Sequence, residues 1–127
     1  MVYAIGENVR FTCMWEYKGP YYVGAKLRCV IGKRGVSFDE VLYSQVGVIM
    51  PETLVWTAFE QTVLVAVTAN LKAGETYDTY VKLVTGVNQD GPDDLFWYGD
   101  GLVTIAGGSG GTTGGAAFSN LSVSLSR

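Results

Sequence analysis

The sequence predicts an all-β domain built as an antiparallel two-sheet β-sandwich, and three observations lead there. First, apolar residues recur every second position, most cleanly where Val9, Phe11, Cys13, Trp15 and Tyr17 alternate with Arg10, Thr12, Met14 and Glu16. Successive side chains of a strand point to opposite faces of its sheet, so this alternation marks a half-buried strand. Second, no segment sustains the 3.6-residue apolar period of a helix. Third, turn residues punctuate the chain often enough to separate seven or eight strands, which favours a sandwich over a mixed fold. At 127 residues the chain reads as a single domain, residues 1–127. A chain of this size buries roughly two-thirds of its unfolded surface, enough for a core without metals or staples.

Val9–Tyr17 is the first expected strand, broken by Lys18, Gly19 and Pro20, because proline cannot donate to a ladder. The second runs from Tyr22 to Ile31, with Ala25, Leu27, Cys29 and Ile31 on one face, and Gly32–Gly35 reads as a basic turn. Val41–Met50 follows, with Leu42, Val46, Val48 and Met50 together and Pro51 at its end. The fourth strand, Thr57–Thr68, is apolar on both faces over Val63–Val67. That pattern suits a central strand covered on each side, or one whose outer face meets a partner. Tyr77, Thr79, Val81 and Leu83 then share a face opposite Asp78, Tyr80 and Lys82. Leu95–Tyr98 and Leu102–Ile105 flank Gly99-Asp100-Gly101 and read as a short hairpin. Gly107–Gly115 holds six glycines in nine residues and reads as a loop, before a last strand over Phe118–Leu125. The expected core comprises Val9, Phe11, Trp15, Leu27, Ile31, Val46, Val65, Tyr77, Val81, Leu121 and Val123, with Trp56 and Trp97 also assigned to it.

The stretch from Leu71 to Val84 carries a resemblance. A leucine (Leu71), a short turn at Ala73-Gly74 and a tyrosine (Tyr77) before the strand resemble the penultimate strand of immunoglobulin-like and fibronectin type III-like sandwiches. The resemblance covers about fourteen residues and implies an immunoglobulin-like arrangement. A jelly roll is the alternative, because Phe118–Val123 looks like the last strand of some jelly-roll sugar-binding domains.

Composition removes most chemistry. The chain has no histidine, so Ser-His-Asp and Cys-His activation and His-ligated zinc are all lost. Gly107-Gly108-Ser109-Gly110-Gly111 satisfies the spacing of a nucleophile elbow but is followed by a strand rather than a helix. Adjacent acids at Asp39-Glu40 and Asp93-Asp94 point to opposite faces of an extended backbone and make no acid/base couple. The expected class is therefore non-enzymatic. A net charge of −3 and no basic cluster larger than Lys33-Arg34 give no footprint for nucleic acid. Neither signal-peptide regions at the start nor an eighteen-residue apolar run is present, so no membrane partner is expected and the chain reads as soluble. Only 17% of residues are charged, against about 25% in an average domain, which leaves a sticky surface suited to an assembly.

Four candidate features follow. Asp90, Asp93, Asp94 and Asp100 surround a Gly-Pro turn, and oxygen-rich loops of this kind can hold calcium; the competing explanation is that such side chains satisfy turn backbones. Cys13 and Cys29 fall on core faces of consecutive strands. In a hairpin centred on residue 21, residues whose numbers sum to 42 stand opposite, which puts the two sulfurs within reach of a disulfide. If the strands belong to different sheets the sum means nothing, and two buried thiols act as small apolar residues. Tyr21, Tyr22, Phe96 and Tyr98 are expected to give aromatic surface for contact, and Asn120 opens a glycosylation sequon by pattern. The function expected from these features is a structural or interaction module at a cell surface or in a virion or tail-type assembly. Its partner would be protein, above all other copies of itself, packed through sheet faces or edges. A carbohydrate-binding module with a polysaccharide partner is the alternative, since exposed rings stack on sugars. An extracellular or particle-surface location is favoured.

Overall fold

The computed structural model describes residues 1–84, 94–106 and 122–126. Eight strands follow one another: β1 (Val2–Tyr3), β2 (Asn8–Gly19), β3 (Tyr22–Arg34), β4 (Phe38–Met50), β5 (Thr53–Ala66), β6 (Thr76–Val84), β7 (Leu95–Ile105) and β8 (Ser122–Ser126). They form a five-stranded sheet in the order β1-β7-β6-β3-β4 and a three-stranded sheet in the order β5-β2-β8. The all-β, two-sheet expectation holds. Its antiparallel part needs one amendment, because β1 runs parallel to β7, with Val2 opposite Thr104. Backbone bonds from Thr104 to the Met1 carbonyl and from Ala106 to the Tyr3 carbonyl fix that edge.

Inward rows of both sheets meet in one core. Val9, Phe11, Cys13, Trp15 and Tyr17 of β2 pack with Ala25, Leu27, Cys29 and Ile31 of β3, Tyr77, Val81 and Leu83 of β6, and Trp97 and Val103 of β7. Of the expected core, Val46 is partly buried and Leu121 lies outside the described residues. Trp56 is a correction: it stands on the outer face of β5 and is exposed. Its parity matches Leu54 and Leu64, also exposed, whereas Val63 and Val65 of the opposite parity are buried.

β2 pairs with β5 and β8, and β3 with β4 and β6, so of the two arrangements left open for β2 and β3 the structure has the one in different sheets, with the chain crossing between them at Gly19–Tyr22. β5 is an edge strand, not a central one. The basic stretch is not a turn either: β3 continues to Arg34, with Lys33 opposite Asp39. Gly32 is required there, since a Cβ at this position would collide with the Asp39 carbonyl. Gly99-Asp100-Gly101 is no hairpin turn. β7 runs through it, with Gly99 opposite Thr79 and Val103 opposite Tyr77, so the extra residues form a bulge. Gly101 takes the positive φ of 68° that this bulge needs, and its amide bonds Asp78 Oδ1 at 2.8 Å.

The segment before β6 ties its turn to the core. Leu71 is buried, and the Lys72 amide donates to the Tyr77 hydroxyl at 2.8 Å, which itself donates to Glu75 at 3.1 Å. Gly74 and Glu75 are fastened in turn to the backbone of Ile105. Replacing Tyr77 with Phe leaves the Lys72 amide without this acceptor at little cost in apolar area. Urea unfolding of Tyr77→Phe is expected to show a loss of about 1–3 kcal/mol with an unchanged m-value.

Candidate functional surface

Among the described residues, the outer face of the five-stranded sheet gathers a cluster of aromatic rings and charged side chains. Register places Tyr43, Val30, Tyr80 and Tyr98 in one row across β4, β3, β6 and β7. The next row is Gln45, Arg28, Lys82 and Phe96 across the same strands. Tyr80 sits at the centre, its ring 5.0 Å from Tyr98, 5.4 Å from Phe38 and 6.3 Å from Phe96. Val30 points outward by parity yet is fully buried under this layer. Edge-on or offset ring pairs at such separations add about 0.5–1.5 kcal/mol each beyond the area they bury.

Three cations lie on these rings. Arg28 stacks 3.7 Å from the Tyr43 centroid, Arg34 4.4 Å from Tyr98 and Lys82 5.3 Å from Phe96. Arg28 and Lys82 stand directly opposite each other, an arrangement that destabilises a sheet when nothing offsets it. Here the Arg28 guanidinium also pairs with Glu40, whose hydrogen bond raises its pKa against the smaller opposing effect of burial. Arg34 pairs with Asp100 at 3.3 Å, and its amide bonds Asp78 at 2.8 Å. Burial is the main cause that lifts the Tyr80 phenol above its usual range, with Tyr98 and Glu40 adding to it and Arg28 opposing.

The expected contact residues divide between two places. Phe96 and Tyr98 do lie on this face, with Trp97 between them turned into the core. Tyr21 is exposed and Tyr22 half-buried beside Met50, at the β2–β3 crossing. Tyr22 and Arg28 stand six positions apart along β3, about 20 Å of strand. Tyr80, Phe38 and Tyr43 were missed. The signal existed, because alternation sets Tyr80 and Lys82 on the face opposite Tyr77 and Val81; what it lacked was the pairing that lines up four strands.

Cys13 and Cys29 meet after all, but across the sandwich rather than along a hairpin. Their sulfurs are 4.0 Å apart, unbonded and buried. The contact with Cys13 and then burial hold the Cys29 thiol far above its ordinary pKa, so it is a core group and no nucleophile. Asp100 is engaged with Arg34, while Asp90, Asp93, the Gly107–Gly111 motif and Asn120 lie outside the described residues. Among the described residues no group of three or more His, Cys, Asp or Glu side chains is placed to hold a metal, and no helix is long and apolar enough to cross a membrane.

No family model, curated protein or solved structure matches the chain. The surface must therefore be read from its own chemistry.

Tyr80 supplies a test. A phenol whose folded pKa is raised contributes stability that is fully present below its unfolded value near pH 10 and is lost as pH rises through the folded value. Absorbance titration is expected to show late-ionising tyrosines, with one fewer in Tyr80→Phe. A variant that instead loses one normally ionising tyrosine and keeps the parent's full late-ionising set would place Tyr80 in open water.

Proposed function

We propose that the chain is a non-enzymatic, immunoglobulin-like interaction module that self-associates through the outer face of its five-stranded sheet. Modules of this kind serve in cell-surface proteins and in virion or tail assemblies. The observation that carries the reading is the contiguous cluster of Phe38, Tyr80, Phe96 and Tyr98 with Arg28, Arg34 and Lys82 laid against rings. Aromatic and arginine side chains are the ones that concentrate binding energy at protein interfaces. A surface of both signs, with Glu40 and Asp100 beside the cations, can meet a second copy of itself without net repulsion.

Strand order supports the immunoglobulin-like part. The run β7-β6-β3-β4 follows the G-F-C-C′ order of variable-type domains, and β5 beside β2 follows E beside B. The Tyr77 hydroxyl reaching back to Lys72 has the form of a tyrosine corner. Two departures stand against a standard member: β8, from the end of the chain, occupies the position beside β2 where a first strand would lie, and Cys13 faces Cys29 on β3 rather than a residue of β6.

Binding of a polysaccharide is the second reading, favoured by the same ring cluster, since sugar faces stack on exposed aromatic rings. Light scattering separates the two. The parent protein is expected to exceed its monomer mass of 13.7 kDa, and Phe96→Ala/Tyr98→Ala to weaken association roughly tenfold or more. A variant that associates as the parent does, together with calorimetric heat from a polysaccharide that the variant loses, would transfer the face to the carbohydrate reading.

A further inference from the structure

Among the described residues the two sheets end in four edge strands: β1, β4, β5 and β8. An edge presents a row of unpaired amides and carbonyls, and proteins protect such rows with short strands, charges, prolines or bulges. β1 is two residues long and β8 is five. β5 bulges between Thr53 and Thr57 and carries Glu60 beyond. The protections of β4 are confined to its beginning, where Asp39 and Glu40 precede an extra residue at Val41. From Leu42 to Val48 β4 then pairs with β3 residue by residue without a shift, and this run contains neither charge nor proline.

The side chains of this regular run are unevenly shaped. On the outer face Arg28 lies against the Tyr43 ring, yet Tyr43 is still 56% exposed. Four residues on, Gly47 leaves a gap: a Cβ added there would meet nothing within 4 Å. Its φ is not positive, so the backbone itself does not call for glycine. On the inner face Leu42 and Val46 are only partly buried against the core, which leaves the inward row open along this edge. A projecting ring, a gap and an unfinished apolar row on one free edge are what a neighbouring strand would complete.

We propose that β4 pairs antiparallel with β4 of a second copy across a two-fold axis at Gln45, joining two five-stranded sheets into one continuous sheet. A second copy is the occupant because ring and gap lie on the same strand at equal distances on either side of Gln45. With the axis there, Tyr43 of each copy lies opposite Gly47 of the other, where an aromatic ring laid across a glycine covers the backbone that the missing side chain leaves bare. On the inner face Leu42 stands opposite Val48 and Ser44 opposite Val46, which extends the open row with a second one. Moving the axis one residue either way opposes Tyr43 to Gln45 or to Ile49 and leaves Gly47 facing Val41 or Gln45. The contact is isologous, so it closes at two copies. It rests on the reading of the chain as a self-associating module but uses the edge rather than the cluster around Phe96 and Tyr98.

Light scattering over a dilution series tests the pairing, with circular dichroism to verify folding. Gly47→Glu points a carboxylate into open space opposite Lys26 of β3, so the fold should persist, while the new side chain takes the place that the other copy's Tyr43 would fill. A lower mass is expected for Gly47→Glu at concentrations where the parent is dimeric. The register is tested by Gln45→Cys, which sets two cysteines at the axis with Cα atoms about 5 Å apart, within reach of a disulfide. With oxidised glutathione as the electron acceptor, this variant should link into dimers on a non-reducing gel. Ile49→Cys, four positions from the axis, should stay unlinked under the same conditions. A parent that is monomeric at every concentration, a folded Gly47→Glu with the parent's mass, or equal linking of the two cysteine variants overturns the proposal. Phe96→Ala/Tyr98→Ala, run alongside, reports on the aromatic face alone: a mass lowered by Gly47→Glu and not by the double variant keeps the edge and removes the face, and the reverse keeps the face and removes the edge.

Discussion

Everything on the surface of this protein depends on the packing of two inward rows against each other across the sandwich. Phe11, Cys13 and Trp15 of β2 share one core with Leu27, Cys29 and Ile31 of β3, and the Cys13 and Cys29 sulfurs touch across it, 4.0 Å apart. Fully burying an apolar side chain of this size contributes about 1.5–3 kcal/mol, so the rows cannot be turned outward cheaply. Strand parity then follows without freedom. A slip of one residue would send the whole core row to solvent, and for the same reason the outward row is fixed as firmly as the inward one.

That parity is what assembles the aromatic face. Once Val81 and Leu83 are inside, Tyr80 and Lys82 must be outside, and once Trp97 is inside, Phe96 and Tyr98 must flank it on the surface. The ladders β3–β6 and β6–β7 bring these residues into common rows, placing Lys82 between Arg28 and Phe96 and Tyr80 between Val30 and Tyr98. Two neighbouring cations on one face carry a repulsive cost. Glu40 and the rings of Tyr43 and Phe96 offset it, at a site where two neutral side chains would have carried no such cost.

The strands themselves were largely legible in the sequence, because alternation is a local property: Val9–Tyr17 and Tyr77–Val84 lie within β2 and β6. Pairing was not legible, since nothing in the residues around Pro20 distinguishes a hairpin from a crossing between sheets. The same limit turned the cysteine registry into a false reason for a true proximity. Gly99-Asp100-Gly101 carries strong turn residues, yet a bulge needs the same positive φ, and only Asp78 on the neighbouring strand decides between them. Trp56 misled through its size: a tryptophan is usually core, but at the outward parity of an edge strand no layer exists to receive it. Of the aromatic face, Phe96 and Tyr98 were found by their own alternation, and Tyr80 and Phe38 required the ladder.

A double-mutant cycle on Cys13 and Cys29 examines the contact between the sheets most directly. Cys13→Ala, Cys29→Ala and the double variant would be unfolded in denaturant and their stabilities compared with the parent's. Side chains in direct contact couple, and the cycle is expected to return an interaction free energy of about 0.5 kcal/mol or more. Losses that add to within about 0.3 kcal/mol would mean that β2 and β3 do not meet at these residues, and the parity that builds the outer face would lose its foundation.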